Sequence, residues 1–247
     1  MKYESSFKSE ADNLEISIMA VIPDKKPYRA VVQLVHGMSE HKERYLPFME
    51  YLAKLGYVTV IHDHRGHGKS VKYQEDLVFT YGGGAQAMLQ DIRTVNRKIH
   101  AYYPELPLIL MGHSMGSLAV RAFVAEHDSC VDMLIVCGSP SYNTAMPLGV
   151  AIAKTEKAVF GPRHRSKLIE TMSFGAGAMK FRKDKRCTAW ICSDPDVAKE
   201  YEESEMCGFT FTDDAYLALF ELMKRAYDVE HFSCTNPDMP VLFVSGA

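Results

Sequence analysis

The stretch that most restricts how this chain folds is residues 108–120, LILMGHSMGSLAV. Four strand-forming residues run straight into Gly112-His113-Ser114-Met115-Gly116, and small and apolar residues follow at helical spacing. A strand that turns into a helix within one residue crowds its own backbone, so the positions two before and two after the turning residue must be small. Gly112 and Gly116 meet that condition. Such an elbow pushes the Ser114 side chain out beyond the strand end. The helix behind it aims backbone N–H groups and a positive dipole end at the same place. Five letters alone would fit any tight turn that needs small residues. The strand before and the helix after favour the elbow.

Its surroundings repeat the same alternation. Leu14, Ile16 and Ile18 alternate with polar or exposed-type neighbours, the pattern of an amphipathic edge hairpin within residues 1–22. Residues 30–35 and 57–61 are short apolar runs that read as strands buried on both faces. A helix is expected over 44–55, closed by Gly56. A second is expected over 85–103, where Met88, Ile92, Val95 and Ile99 recur at spacings of three and four and Pro104 and Pro107 end the pattern. A third should follow Ser114 to His127, with strands at 133–136 and 241–244. The expected fold class is α/β, a mostly parallel sheet covered by helices on both sides.

From Pro140 to Ser233 the alternation stops. The pattern there is largely helical, and charge is segregated: Lys and Arg dominate 151–190, Asp and Glu dominate 194–214. The expected organisation is a sheet domain over 1–140, a helical cap over 141–233 and a return to the sheet over 234–247. Met146, Leu148, Val150, Ile152, Val159 and Phe160 offer apolar surface in the cap. Arg163, Arg165, Lys167, Lys180, Arg182, Lys183, Lys185 and Arg186 add positive charge. Together they suit an amphiphile with an anionic head or a peripheral approach to lipid. The plainer reading is a solvated basic face balanced by the acidic stretch.

Composition narrows the function class. A net charge of −3 argues against nucleic acid as partner. The polar start carries no apolar run, so no signal peptide is expected, and no stretch is long enough to cross a bilayer. The six cysteines form no CxxC pair or regular framework, which points to reduced thiols in a cytoplasm. Cys137, in an apolar run, is expected in the core.

A serine hydroxyl becomes a nucleophile only with a base, a group that orients the base, and donors for the oxyanion. Ser114 is the candidate nucleophile. The backbone N–H groups of Met115 and of a residue in the His36-Gly37-Met38 loop are the candidate oxyanion donors. Asp63 to Ser70, DHRGHGKS, is a polar loop at the same end of the sheet, where Asp63 and Arg65 are expected to brace the backbone by charged hydrogen bonds. His62, His64 and His67 form HxHxxH, but Gly66 stands where a metallo-β-lactamase-like signature has aspartate, and no downstream ligand set accompanies it.

Residues 36–45 (HGMSEHKERY), 63–70 (DHRGHGKS) and 112–116 (GHSMG) together resemble the α/β-hydrolase superfamily. More narrowly, they resemble its monoacylglycerol lipase and lysophospholipase branch, the serine aminopeptidase S33-type hydrolases. Residues 190–211, with Cys207-Gly208-Phe209, are similar to the cap of bacterial members. The resemblance implies Ser114 as nucleophile, the N–H groups of Met38 and Met115 as oxyanion hole, ester hydrolysis through an acyl-enzyme, a small amphiphilic ester as substrate, and no metal or organic cofactor. It also implies an acid after the strand at 241–244 and a histidine further on. Both are therefore expected beyond Ala247, together with a last strand and helix, which leaves residues 1–247 alone weakly active and aggregation-prone. Of the histidines after Ser114, none of His127, His164 and His231 has the context of a triad base, and the elbow is expected to turn His113 away. A peptidase or amidase on the same scaffold, and a non-catalytic binding protein, are the alternatives.

Overall fold

The computed structural model describes residues 1–180 and 191–246, with side chains through 173 and again from 191. The described residues form one seven-stranded sheet in the order β1-β2-β4-β3-β5-β6-β7. Its strands are β1 (Lys2–Lys8), β2 (Glu15–Val21), β3 (Val31–Val35), β4 (Val58–His62), β5 (Leu108–His113), β6 (Met133–Cys137) and β7 (Val241–Val244). The β1–β2 hairpin and the β2–β4 pair are antiparallel. From β4 onward every pairing is parallel, with Val32 beside Ile109 and Leu110 beside Leu134. The chain order reverses at β3, so the loops leaving β3 and β5 diverge at one end of the sheet. In open α/β sheets that is where sites form.

The central strands β3 and β4 are buried at every position, as their largely apolar runs require. Alternate residues feed two cores. Val31, Val35, Val58 and Val60 pack toward α2 (Gly84–Tyr102) and α3 (Met115–His127). Val32, Leu34 and Ile61 pack toward Met49 of α1 (Leu46–Lys54) with Met19 and Val21. Gln33 is the polar exception in β3, and its amide donates to the Ile92 carbonyl of α2 at 3.0 Å.

Coverage weakens along the sheet. In β6, Leu134 and Val136 are buried under α3, whereas Met133, Ile135 and Cys137 are only partly buried. The expectation that Cys137 lies in the core is corrected: like Met133 and Ile135 on the same side of β6, it is only partly buried. All four side chains of β7 are exposed. Of the cysteines, Cys130, Cys137, Cys192, Cys207 and Cys234 are free thiols. Cys187 lies outside the described residues.

Between β6 and β7 come α4 (Met146–Phe160), α5 (Lys167–Lys180), α6 (Pro195–Glu203) and α7 (Asp213–Ala226). Asp194 caps α6 by accepting the Asp196 N–H at 2.9 Å, and Thr212 caps α7 by accepting the Ala215 N–H at 3.2 Å. α7 packs directly on α2 and α3 and carries α4 on its other side. No helix among the described residues is long and apolar enough to cross a membrane.

Arg65, in the loop after β4, is fully buried. It donates to Asp91 of α2 and to Asp12, both at 3.0 Å, and to Ser9 at 2.9 Å, both of the latter in the turn between β1 and β2. Three elements are thus joined through one guanidinium, whose planar fork suits that role. Arg65→Leu should cost about 3–5 kcal/mol, because it leaves Asp91 buried without its cation. Urea denaturation would measure this, and a loss below about 1 kcal/mol would contradict the assignment.

Candidate active site at the Ser114 elbow

Ser114 joins β5 to α3 with φ 52° and ψ −117°. A non-glycine residue rarely adopts that backbone, which costs on the order of 1–3 kcal/mol and persists only where the surroundings enforce it. Here they do. The Ser114 N–H is held by the Cys137 carbonyl of β6 at 2.9 Å, and its carbonyl accepts the Ser117 hydroxyl at 2.5 Å. The glycine spacing has a direct cause. A Cβ on Gly112 would lie 2.3 Å from the Gly116 carbonyl oxygen, and one on Gly116 would lie 2.1 Å from the Val35 carbonyl oxygen. The first turn of α3 therefore lies against the end of β3.

That contact brings the loop after β3 over Ser114. A Cβ on Gly37 would fall 3.3 Å from the Ser114 Cβ, so the loop backbone runs beside the hydroxyl. Glu40 fixes this loop: its Oε1 accepts the Gly37 N–H at 2.6 Å and the Tyr45 hydroxyl at 2.9 Å, and its other oxygen pairs with Arg44. Burial works against the Glu40 charge, but His113, Arg44 and the Gly37 N–H outweigh it and hold the carboxyl below its ordinary range. The N–H groups of Met38 and Met115 have no hydrogen-bond acceptor among the described residues. The site thus presents a hydroxyl on a strained turn, two uncommitted N–H donors on the loop and helix beside it, and the N-terminal end of α3.

The loop after β4 supports the arrangement from below. His36 donates from Nδ1 to the Gly37 carbonyl at 2.8 Å and accepts the His64 N–H on Nε2 at 3.0 Å. These two roles require the neutral ring. His64 reciprocates by donating Nε2–H to the His36 carbonyl at 3.1 Å. Asp63 accepts the Lys42 ammonium at 2.7 Å, the Lys42 N–H at 2.8 Å and the Lys69 N–H at 3.0 Å, with both members of the ion pair fully buried. Asp63 and Arg65 therefore do brace the loop, through Lys42 and Asp91 and not through each other. Among the described residues the ligand atoms of His62, His64 and His67 do not come together as a set of three; His64 and His67 face the His36 and Arg65 carbonyls instead.

The other histidines are committed elsewhere. His113 lies 3.2 Å from the Tyr45 hydroxyl and 3.4 Å from Glu40. His127 meets the Phe123 ring edge-to-face, His164 bonds Asp213 at 2.9 Å and His231 bonds Asp228 at 2.8 Å. Among the described residues no imidazole hydrogen-bonds the Ser114 hydroxyl.

The segment before α7 docks on the same loop. The Ser39 hydroxyl donates to the Phe209 carbonyl at 2.7 Å, and the Gly208 N–H donates to the Ser39 carbonyl at 3.0 Å. The Arg44 guanidinium lies over the Tyr201 ring at 4.8 Å. Sequence reading singled out residues 207–209 by resemblance but had no signal for this contact. It also offered Arg163 and Arg165 as charge for a ligand. The structure engages both internally: Arg163 pairs with Asp76 at 2.8 Å, and Arg165 donates to the Thr210 and Leu77 carbonyls. Arg182, Lys183, Lys185, Arg186 and Trp190 lie outside the described residues.

Residues 26–247 match the serine aminopeptidase, S33 family. The chain belongs to that family. It is 26% identical over 174 residues to a monoglyceride lipase homolog of Monkeypox virus, covering 70% of this chain and 55% of that protein. It is 33% identical over 135 residues to a monoacylglycerol lipase of Mycolicibacterium smegmatis, covering 53% and 46%. The chain thus spans about half the length of these curated relatives. In fold it is similar to a thermostable carboxyl esterase from Bacillus coagulans, with a TM-score of 0.83 at 23% identity over 99% of this chain and 90% of that one. This likeness shows an α/β-hydrolase fold.

Two predictions follow from the geometry of this family member. Gly116→Ala should destabilise by about 1–3 kcal/mol or more, because its methyl group meets backbone and not a movable side chain. An alanine variant with unchanged denaturation midpoint would contradict the close approach. The second concerns pH. Burial pushes His62 and His67 down to about 4 and His36 and His64 well below their ordinary value. The unfolded chain binds the extra protons, so this stability is complete above about pH 6.5 and is lost as pH falls toward 4. His41 acts in the opposite direction. Burial opposes its charge, but Cys207 and Glu43 hold it up at about 9, and its contribution is lost as pH rises through that value. The melting temperature should be highest near neutral pH and fall more steeply on the acid side. A flat profile between pH 7 and 4.5 would contradict this account.

Proposed function

We propose that this protein is a serine hydrolase that cleaves carboxylic esters of the monoacylglycerol or lysophospholipid type. The observation that carries the reading is the strained Ser114 turn beside two N–H groups that have no acceptor among the described residues. In this reading Ser114 Oγ attacks the ester carbonyl carbon, and its proton passes to an imidazole base oriented by a carboxylate. The oxyanion that forms is stabilised by the Met38 and Met115 N–H groups and the start of α3. The alcohol leaves with a proton, and water then releases the acyl group from the serine. The base and its carboxylate are not among the groups that the described residues place at Ser114.

Relatives named monoglyceride lipase and lysophospholipase support the substrate class. Leu148, Val159 and Phe160 of α4 are exposed and support a peripheral approach to lipid. Residues 141–233 act as the cap in this reading, supported by the contact of Gly208 and Phe209 with Ser39. The free cysteines support a cytoplasmic location. The family's designation as aminopeptidases favours a second reading, peptide or amide cleavage at the same serine.

The test is turnover of monoacylglycerols, lysophospholipids and aminoacyl arylamides by the full-length protein and by Ser114→Ala. Ester turnover should dominate and fall at least about 10³-fold in the variant. Dominant arylamide turnover selects the peptidase reading. Ester turnover that survives Ser114→Ala removes Ser114 from the role, and no turnover of any substrate makes the chain a binding protein.

A further inference from the structure

Away from the elbow, Glu156 of α4, His164 of the loop that follows it, and Asp213 at the start of α7 each bring one ligand atom within 4.8 Å of the other two. His164 Nδ1 and Asp213 Oδ2 are 2.9 Å apart. Two carboxylates around one imidazole carry net negative charge even when the ring is protonated. The nearest lysine, Lys157, is occupied by Asp214 at 2.7 Å. Independently, the Asp213 side chain is fully buried and its Oδ1 has no hydrogen-bond partner, and neither has the buried Oε2 of Glu156. Buried carboxylate oxygens without partners are costly and mark a missing positive group.

We propose that Glu156, His164 and Asp213 bind a divalent transition-metal ion, zinc or manganese, that clamps α4 and the 161–166 loop to the start of α7. The imidazole selects a transition metal, zinc first, over calcium or magnesium, which favour oxygen-only sites; manganese, which also leans to oxygen, would rely on the two carboxylates. Ligands about 2.0–2.1 Å from a tetrahedral ion stand roughly 3.4 Å apart. The His164–Asp213 spacing is 2.9 Å and all three atoms lie within 4.8 Å of one another, so side-chain rotations can complete the set. The backbone is already in place. The Asp213 N–H bonds the His164 carbonyl at 2.8 Å, Arg165 bridges to Thr212, and the Phe160 ring lies 4.8 Å from the His164 ring. The ion takes the place of the Nδ1–H, and the neutral ring then carries its one proton on Nε2. The site is structural and does not depend on the hydrolase reading.

The protein, stripped with chelator and dialysed, is titrated with zinc chloride, manganese chloride and calcium chloride by calorimetry, with thermal melts in parallel. One zinc or manganese ion should bind per chain and raise the melting temperature by about 5–10 °C at a hundredfold excess over Kd. Glu156→Gln and His164→Ala, both at partly exposed positions, should each weaken binding at least about tenfold. No stoichiometric uptake, uptake that survives both variants, or a preference for calcium would overturn the proposal.

Discussion

The first turn of α3 approaches the end of β3 so closely that no side chain fits between them, and the rest of the site is built on that contact. With 2.1 Å between a Cβ on Gly116 and the Val35 carbonyl oxygen, only glycine lets helix and strand meet. Their meeting sets the loop at Gly37 and Met38 beside Ser114. Among the described residues it leaves the Met38 and Met115 N–H groups without acceptors. The strain at Ser114 is held by its hydrogen bonds to the Cys137 carbonyl and the Ser117 hydroxyl.

Loops that carry such geometry need support, and here it is polar and buried. His36 and His64 exchange hydrogen bonds as neutral rings, Lys42 and Asp63 form a buried ion pair, and Arg65 gathers Asp91, Asp12 and Ser9. Pairs of this kind add little net stability relative to apolar packing, but losing one partner is expensive. They fix one loop arrangement out of many. The same groups tie the active end of the sheet to pH, since each buried imidazole must stay neutral.

Much of this was legible in the sequence because the signals are local. The apolar runs at 30–35 and 57–61 pointed to the buried strands β3 and β4. The three- and four-residue spacing from Met88 to Ile99 gave α2, and the paired glycines gave the elbow. Long-range contacts were not legible. Glu40 and Lys42 stood in a recognised segment, yet nothing in the letters told that one would hold the Gly37 N–H and the other Asp63. Arg163 and Arg165 looked like free surface charge because their partners, Asp76 and the carbonyls of Leu77 and Thr210, lie far away in sequence. Cys137 misled for a related reason: its strand is apolar throughout, but the side of β6 that it shares with Met133 and Ile135 is only partly covered.

The most direct measurement is a crystal structure of the full-length protein after reaction with a fluorophosphonate. The account predicts a single adduct on the Ser114 oxygen, with the phosphoryl oxygen about 2.7–3.1 Å from the N atoms of both Met38 and Met115. An adduct on another residue, or a phosphoryl oxygen turned away from those two N–H groups, would contradict it.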